Sequence, residues 1–138
     1  MNGDGTIVVR LASLQNTNAW AKAGVMVREG TGSGAKFAFC CVTPTSGVAF
    51  QSRTASNTDA SNIPGSASAA PRWLKLSRSG SLLKGYESAD GQTWTLVGSV
   101  TISMANPVQI GLAVTSHNDG VLCTAVFDQL VITPSGNG

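Results

Sequence analysis

Nothing constrains this chain more than the stretch Trp20-Ala21-Lys22-Ala23-Gly24-Val25-Met26-Val27-Arg28, which alternates without a break. Trp20, Lys22, Gly24, Met26 and Arg28 fall in one phase, and Ala21, Ala23, Val25 and Val27 in the other. Successive side chains leave opposite faces of a strand, so a period of two over this length predicts a β-strand with one small apolar face for a core. The other face carries an aromatic ring, two cations and a glycine.

The same period recurs along the chain. Strands are predicted over 6–14, 20–29, 36–43, 48–54, 73–78, 82–88, 94–97, 100–103, 109–116 and 122–133. Turn chemistry separates them: Asn16-Thr17-Asn18, the Gly/Ser/Thr loop 30–34, Pro44-Thr45-Ser46-Gly47, Ser79-Gly80, Asp90-Gly91 and His117-Asn118-Asp119-Gly120. The segment 55–71 is rich in Ser, Ala and Asn, lacks periodicity, and reads as the longest loop. No stretch keeps a helical period with caps. Many short strands at such spacing predict an all-β fold, an antiparallel sandwich or barrel. At 138 residues this is one domain, assigned to 1–133 with a flexible tail at 134–138.

Charged residues make up 12% of the chain, about half the usual share, and Ser, Thr, Asn and Gly supply the polarity instead. That balance is a habit of secreted β-proteins, so a secreted or extracellular location is expected even though Met1 opens no signal peptide. The net charge of +2, with no basic run, excludes nucleic acid as an expected partner. No apolar run approaches the ~18 residues of a membrane-spanning helix. Cys40 and Cys41 are adjacent on a predicted strand and face opposite sides. They are read as small buried hydrophobes, though either could pair with Cys123.

Five pieces, in this order and spacing, carry a family likeness. They are Gly3-Asp4-Gly5-Thr6; the 20–28 strand; Trp73-Leu74-Lys75-Leu76-Ser77-Arg78; Gly85-Tyr86-Glu87-Ser88-Ala89-Asp90-Gly91 with Trp94; and Gly111 to Asn118. Together they resemble the concanavalin A-like (laminin-G-like, jelly-roll) β-sandwich of large secreted bacterial proteins, across nearly the whole chain. The resemblance implies a fold shared by lectins, glycan-binding modules and glucanases. Such domains usually carry a few more strands ahead of the Gly-Asp-Gly-Thr piece. Where those are missing a sheet edge or core face is left uncovered, and a homo-oligomer or strand-exchanged dimer is expected.

The outer phase of the opening strand supplies the candidate site. Lys22, Met26 and Arg28 are placed beside Gly111, Ala113, Thr115 and His117 of another strand and beside Gln51 and Arg53 of a third. Glycine and alanine there leave a shallow concavity, while Arg and Gln offer forked donors to hydroxyls or carboxylates. A polysaccharide suits such a face, with Trp20, Trp73 or Tyr86 stacking on its rings and His117 and Asn118 orienting it. The competing reading is a solvated face, with Trp73 in the core and Trp94 packed under its hairpin. The 88–94 segment is similar to the Asp-box hairpin, one residue short, and that motif is structural.

Cofactors are not expected. Calcium is the one cation left open, through Asn118 and Asp119 or Asn2 and Asp4, although neither cluster matches an EF-type loop. Asp4, Glu29, Asp59, Glu87, Asp90, Asp119 and Asp128 are all the acids, and none form the Glu-x-Asp-x-x-Glu cluster by which glucanases of the resembled fold present their carboxylate pair. The primary expectation is therefore a non-catalytic carbohydrate-binding module. A structural or adhesive self-associating spacer is the alternative. A glycan hydrolase or lyase using Glu29 or Glu87 comes third.

Overall fold

The computed structural model describes residues 5–15, 21–30, 34–45, 47–55, 60–104, 109–115 and 124–134. All regular structure among them is β: β1 (Gly5–Leu14), β2 (Lys22–Arg28), β3 (Phe37–Val42), β4 (Val48–Arg53), β5 (Ser61–Pro64), β6 (Arg72–Ser79), β7 (Leu82–Ser88), β8 (Thr95–Thr101), β9 (Gln109–Thr115) and β10 (Ala125–Pro134). They form two five-stranded antiparallel sheets, in the orders β10-β1-β6-β7-β8 and β5-β4-β3-β2-β9, packed as a β-sandwich. Two expected strands, 94–97 and 100–103, merge into β8. One unexpected strand, β5, lies inside the segment expected to be a loop.

Alternation explains the layers. Ile7, Val9 and Leu11 of β1, Leu74 and Leu76 of β6 and Leu83 of β7 face Ala23, Val25 and Val27 of β2, Cys40 and Val42 of β3 and Val48 and Phe50 of β4. All of these are 2% exposed or less. The Phe50 ring sits in a slot made by two glycines. Gly85 and Gly98 are cross-strand partners in β7 and β8. A Cβ on Gly85 would lie 2.4 Å from Phe50 Cδ2, and one on Gly98 would lie 3.2 Å from Phe50 Cδ1. Any side chain there would push the sheets apart.

Among the described residues, one flank of the sandwich is open. The edge strand β9 places Leu112 and Val114 opposite the core residues Val25 and Ala23. In β10, Ile132 lies opposite Ile7. Yet Leu112 is 40% exposed, Val114 43%, Ile132 44% and the neighbouring Leu130 49%. The core phase of both edge strands thus closes only in part: Ile110, Ala125 and Phe127 pack against the core, while Leu112, Val114, Leu130 and Ile132 continue into solvent.

The two adjacent thiols face opposite sides, as the alternation requires. Cys40 belongs to the core cluster and Cys41 to a smaller apolar cluster on the outer side of the second sheet. Both are free and buried.

Candidate functional site

The outer side of the β5-β4-β3-β2-β9 sheet is built in rows by the strand register. One row runs Arg28–Phe37–Arg53 across β2, β3 and β4. The next runs Gly111–Met26–Phe39–Gln51–Asn62 from β9 to β5, and a third runs Ala113–Gly24–Cys41–Ala49. Met26, Arg28, Gln51 and Arg53 therefore share one face, as their phase predicts.

This face divides into a covered part and an open part. Phe39, Cys41 and Ala49 are buried, with Met26, Phe37 and Ala113 packed against them. Lys22 lies at the covered end and is only 9% exposed, too little for a side chain that would reach a ligand directly. Burial pushes the Cys41 thiol up to about 12, although Lys22 and the Ala49 backbone pull it partly back. Met26, Arg28, Phe37, Gln51 and Arg53 remain half-buried. Beside them lies a hollow of about 210 Å³ lined by Met26, Arg28, Ile110, Gly111, Leu112 and Ala113. Around Gly111 the space is empty, since a Cβ there would meet nothing within 4 Å. The hollow is smaller than the ~300–1,000 Å³ of a drug-sized pocket, and its shape is that of a shallow surface subsite.

Polar contacts fix the donors of this face. The Arg53 guanidinium lies 5.2 Å from the Phe37 ring centroid. Its Nη1 donates to the Ala35 carbonyl at 3.3 Å. Gln51 Nε2 donates to Asn62 Oδ1 at 3.0 Å. Phe37 and Asn62 were not among the residues expected here. Phe37 shares the phase of Cys41 and is found by extending the alternation; Asn62 sits in a strand with no periodic signal.

Two expected stacking residues lie on the other side of the sandwich. Trp73 and Tyr86 belong to β6 and β7 and share the outer face of the β10-β1-β6-β7-β8 sheet, away from Arg28. Trp73 and Trp94 are half-buried and stand outside the core, contrary to the core placement expected for them. Trp73 alternates with Leu74 and Leu76, so its phase points outward. It packs on the 88–94 hairpin: a Cβ on Gly91, whose φ is +77°, would lie 2.8 Å from Trp73 Cε2. That hairpin is closed by its own polar atoms. Asp90 Oδ1 accepts from the amides of Gln92 and Thr93 at 2.8 and 2.9 Å, and Ser88 Oγ accepts from the Gly91 amide at 2.9 Å. The Thr93 and Gln92 amides hold the Asp90 carboxyl below its usual range. Trp20, His117, Asn118, Asp119, Asn2, Asp4 and Cys123 lie outside the described residues, and with them the candidate calcium ligands. Among the described residues no three His, Cys, Asp or Glu side chains are grouped to hold a metal.

The two glutamates proposed for catalysis have other partners. Glu29 lies 3.6 Å from Lys36 Nζ. Glu87 shares the inward phase of Leu83 and is 2% exposed. Arg72 Nη2 and Nε donate to its Oε1 at 2.6 and 3.0 Å, Ser66 Oγ donates to Oε1 at 2.5 Å, and the Ser66 amide donates to Oε2 at 2.9 Å. Burial pushes this carboxyl up, but the Ser66 and Arg72 donors outweigh it and hold the group below its ordinary value. Glu87 is a buried anchor for the 60–71 segment.

No family model matches the chain, and no curated relative does. Solved structures do share its architecture. Two crystal structures of the GH43 protein BlXynB from Bacillus licheniformis, one of them a mutant, superpose with TM-scores of 0.78 and 0.77 at 15% identity over 96% of this chain. This chain spans only 28% of the length of that protein. A functionally unknown protein from Saccharomyces cerevisiae superposes with a TM-score of 0.75 at 19% identity, over 98% of this chain and 71% of that one. At such identities the likeness is one of fold, the all-β sandwich.

Proposed function

We propose that this protein is a non-catalytic carbohydrate-binding module that takes a polysaccharide on the outer face of the β5-β4-β3-β2-β9 sheet. The observation that carries the reading is the Arg28–Phe37–Arg53 row beside the Gly111 hollow. Two guanidinium forks flank an aromatic ring on an open, shallow face, with the Gln51 amide one row away. Guanidinium and amide groups serve sugar hydroxyls, and an aromatic edge with the Met26 thioether serves the C–H face of a pyranose. The fold likeness to a carbohydrate-active GH43 protein supports the same class of ligand. Shallow sites bury little surface, so affinity is modest.

Affinity gel electrophoresis over a panel of neutral plant and bacterial polysaccharides tests this. At least one polymer is expected to retard the protein, with Arg28→Ala weakening binding roughly tenfold. Silence across the panel, or retardation unchanged in Arg28→Ala, refutes it.

A second reading, self-association as a structural or adhesive spacer, is favoured by one observation, the open flank of Leu112, Val114, Leu130 and Ile132. An apolar edge with unpaired backbone groups pairs readily with another copy. Light scattering at tens of micromolar is expected to report a dimer or larger species that Leu112→Lys returns to monomer. A monomer throughout removes the reading.

A further inference from the structure

The other sheet carries a second polar–aromatic surface that the proposal above does not use. Across β1, β6, β7 and β8 the register sets Val8, Lys75, Tyr86 and Leu96 side by side on the outer face. Lys75 Nζ lies 4.6 Å from the Tyr86 ring centroid and 4.6 Å from that of Trp94. The ammonium is thus held between two aromatic rings, and its long stem has already lost the freedom that an exposed lysine keeps. Leu96 is 52% exposed next to Tyr86. The following row sets Ser77, Lys84 and Ser99 together.

Among the described residues, the charge on this face that has no ion-pair partner is one-sided. Arg10, Lys75 and Lys84 are the cations of the face. Asp128 is committed to Arg10 at 2.8 Å, and Asp90 to its own turn amides. Among the described residues no carboxylate lies within ion-pair distance of Lys75 or Lys84. Burial among the rings also draws the Lys75 ammonium below its ordinary value, so an anion placed against it would restore what desolvation removes.

We propose that this face binds an acidic polysaccharide, with a uronate carboxylate on Lys75 and the sugar ring against Trp94, Tyr86 and Leu96. The partner must be anionic, because the available charges are cations. It must also present flat C–H surfaces, because aromatic rings and an exposed leucine border those cations, with hydroxyls of Ser77 and Ser99 alongside. A nucleic-acid strand meets the first condition, but its charge at every nucleotide calls for a longer basic groove than two uncommitted lysines supply.

The probe is polygalacturonate, with its fully methyl-esterified form as the uncharged control. In affinity gels and in tryptophan-fluorescence titrations the acid polymer is expected to bind and the ester not. Binding is expected to weaken as salt rises. Lys75→Met is expected to weaken binding roughly tenfold and Lys84→Gln by less. A thermal melt close to that of the parent shows that each variant is folded. Arg28→Ala, on the opposite face, is expected to leave polygalacturonate binding unchanged, so this proposal and the neutral-glycan proposal fail separately. No binding, equal binding of the ester, or full binding by folded Lys75→Met overturns the inference. So does Lys75-dependent binding of a single-stranded oligonucleotide with none of polygalacturonate.

Discussion

Replacing Glu87 by Gln removes one charge from the best-buried ion pair among the described residues while preserving its shape. Glu87 is 2% exposed and the Arg72 side chain 17%, so little water is at hand to take over the lost contacts. Gln can still accept one bond from Ser66 or Arg72, but the guanidinium keeps its charge without a carboxylate. Breaking a buried pair from one side costs ~3–5 kcal/mol, and the retained hydrogen bond sets the expectation at the lower end, about 3 kcal/mol. Unfolding entropy of ~2.1 cal/mol/K per residue gives about 0.3 kcal/mol/K for a chain of this size, so Tm is expected to fall by about 10 °C at neutral pH. The sign of the pH dependence follows from the direction of the shift. The folded carboxyl titrates below its ordinary 4.5, so its contribution is fully present above that value and is lost as pH falls through the folded pKa. Melts followed by circular dichroism from neutral to strongly acidic pH should show the gap between parent and Glu87→Gln shrink as the medium becomes acidic. A gap under about 2 °C at neutral pH, or one that persists unchanged at the acid end, refutes the reasoning.

Three further outcomes are expected. Gly85→Ala drives a methyl group into the Phe50 ring and should destabilise the protein by ~1–3 kcal/mol in urea unfolding, with Phe50→Leu recovering part of the loss in the double variant; an unperturbed Gly85→Ala would contradict the slot. Phe50→Ala, at a side chain with no exposure, should cost ~3–5 kcal/mol in the same assay, and a cost below about 1 kcal/mol would deny it a central place in the core. Cys40 and Cys41 should resist a thiol-specific reagent at mildly alkaline pH until denaturant is added, because burial keeps both thiols protonated; rapid modification of either in the native protein, located by peptide mapping, would count against that burial.

The layers were legible because each long strand alternates. Ile7, Val9 and Leu11, or Val25 and Val27, declare their face without reference to any neighbour. The Asp90-Gly91 turn was legible because its chemistry is local. Strand β5 was not, since all four of its residues are exposed and an edge strand of that length leaves no alternating trace. Trp94 was expected to pack under its hairpin and Trp73 was weighed between the core and stacking, although the phase of Trp73 against Leu74 and Leu76 places it outside. Glu87 could be read as inward from its phase with Leu83, and Arg72 from its phase with Leu74, but its partner Ser66 comes from a segment without pattern. The candidate site was legible strand by strand and not as an assembly. Nothing in a strand's own residues tells which sheet it joins, so Trp73 and Tyr86 were grouped with Arg28, from which the sandwich separates them.

The position of β1 has a consequence for how the molecule is made. It lies between β6 and β10, and Gly5 pairs with both Arg78 and Pro134. The sheet is therefore whole only when β10 has joined β1, and folding is governed by contacts that span almost the entire described chain. Topologies of this kind fold in milliseconds to seconds, not microseconds. The same arrangement brings the two ends of the described chain side by side. A short linker could join them and new termini be cut at the Asp90-Gly91 hairpin, which would turn the slowest pairing into a local one.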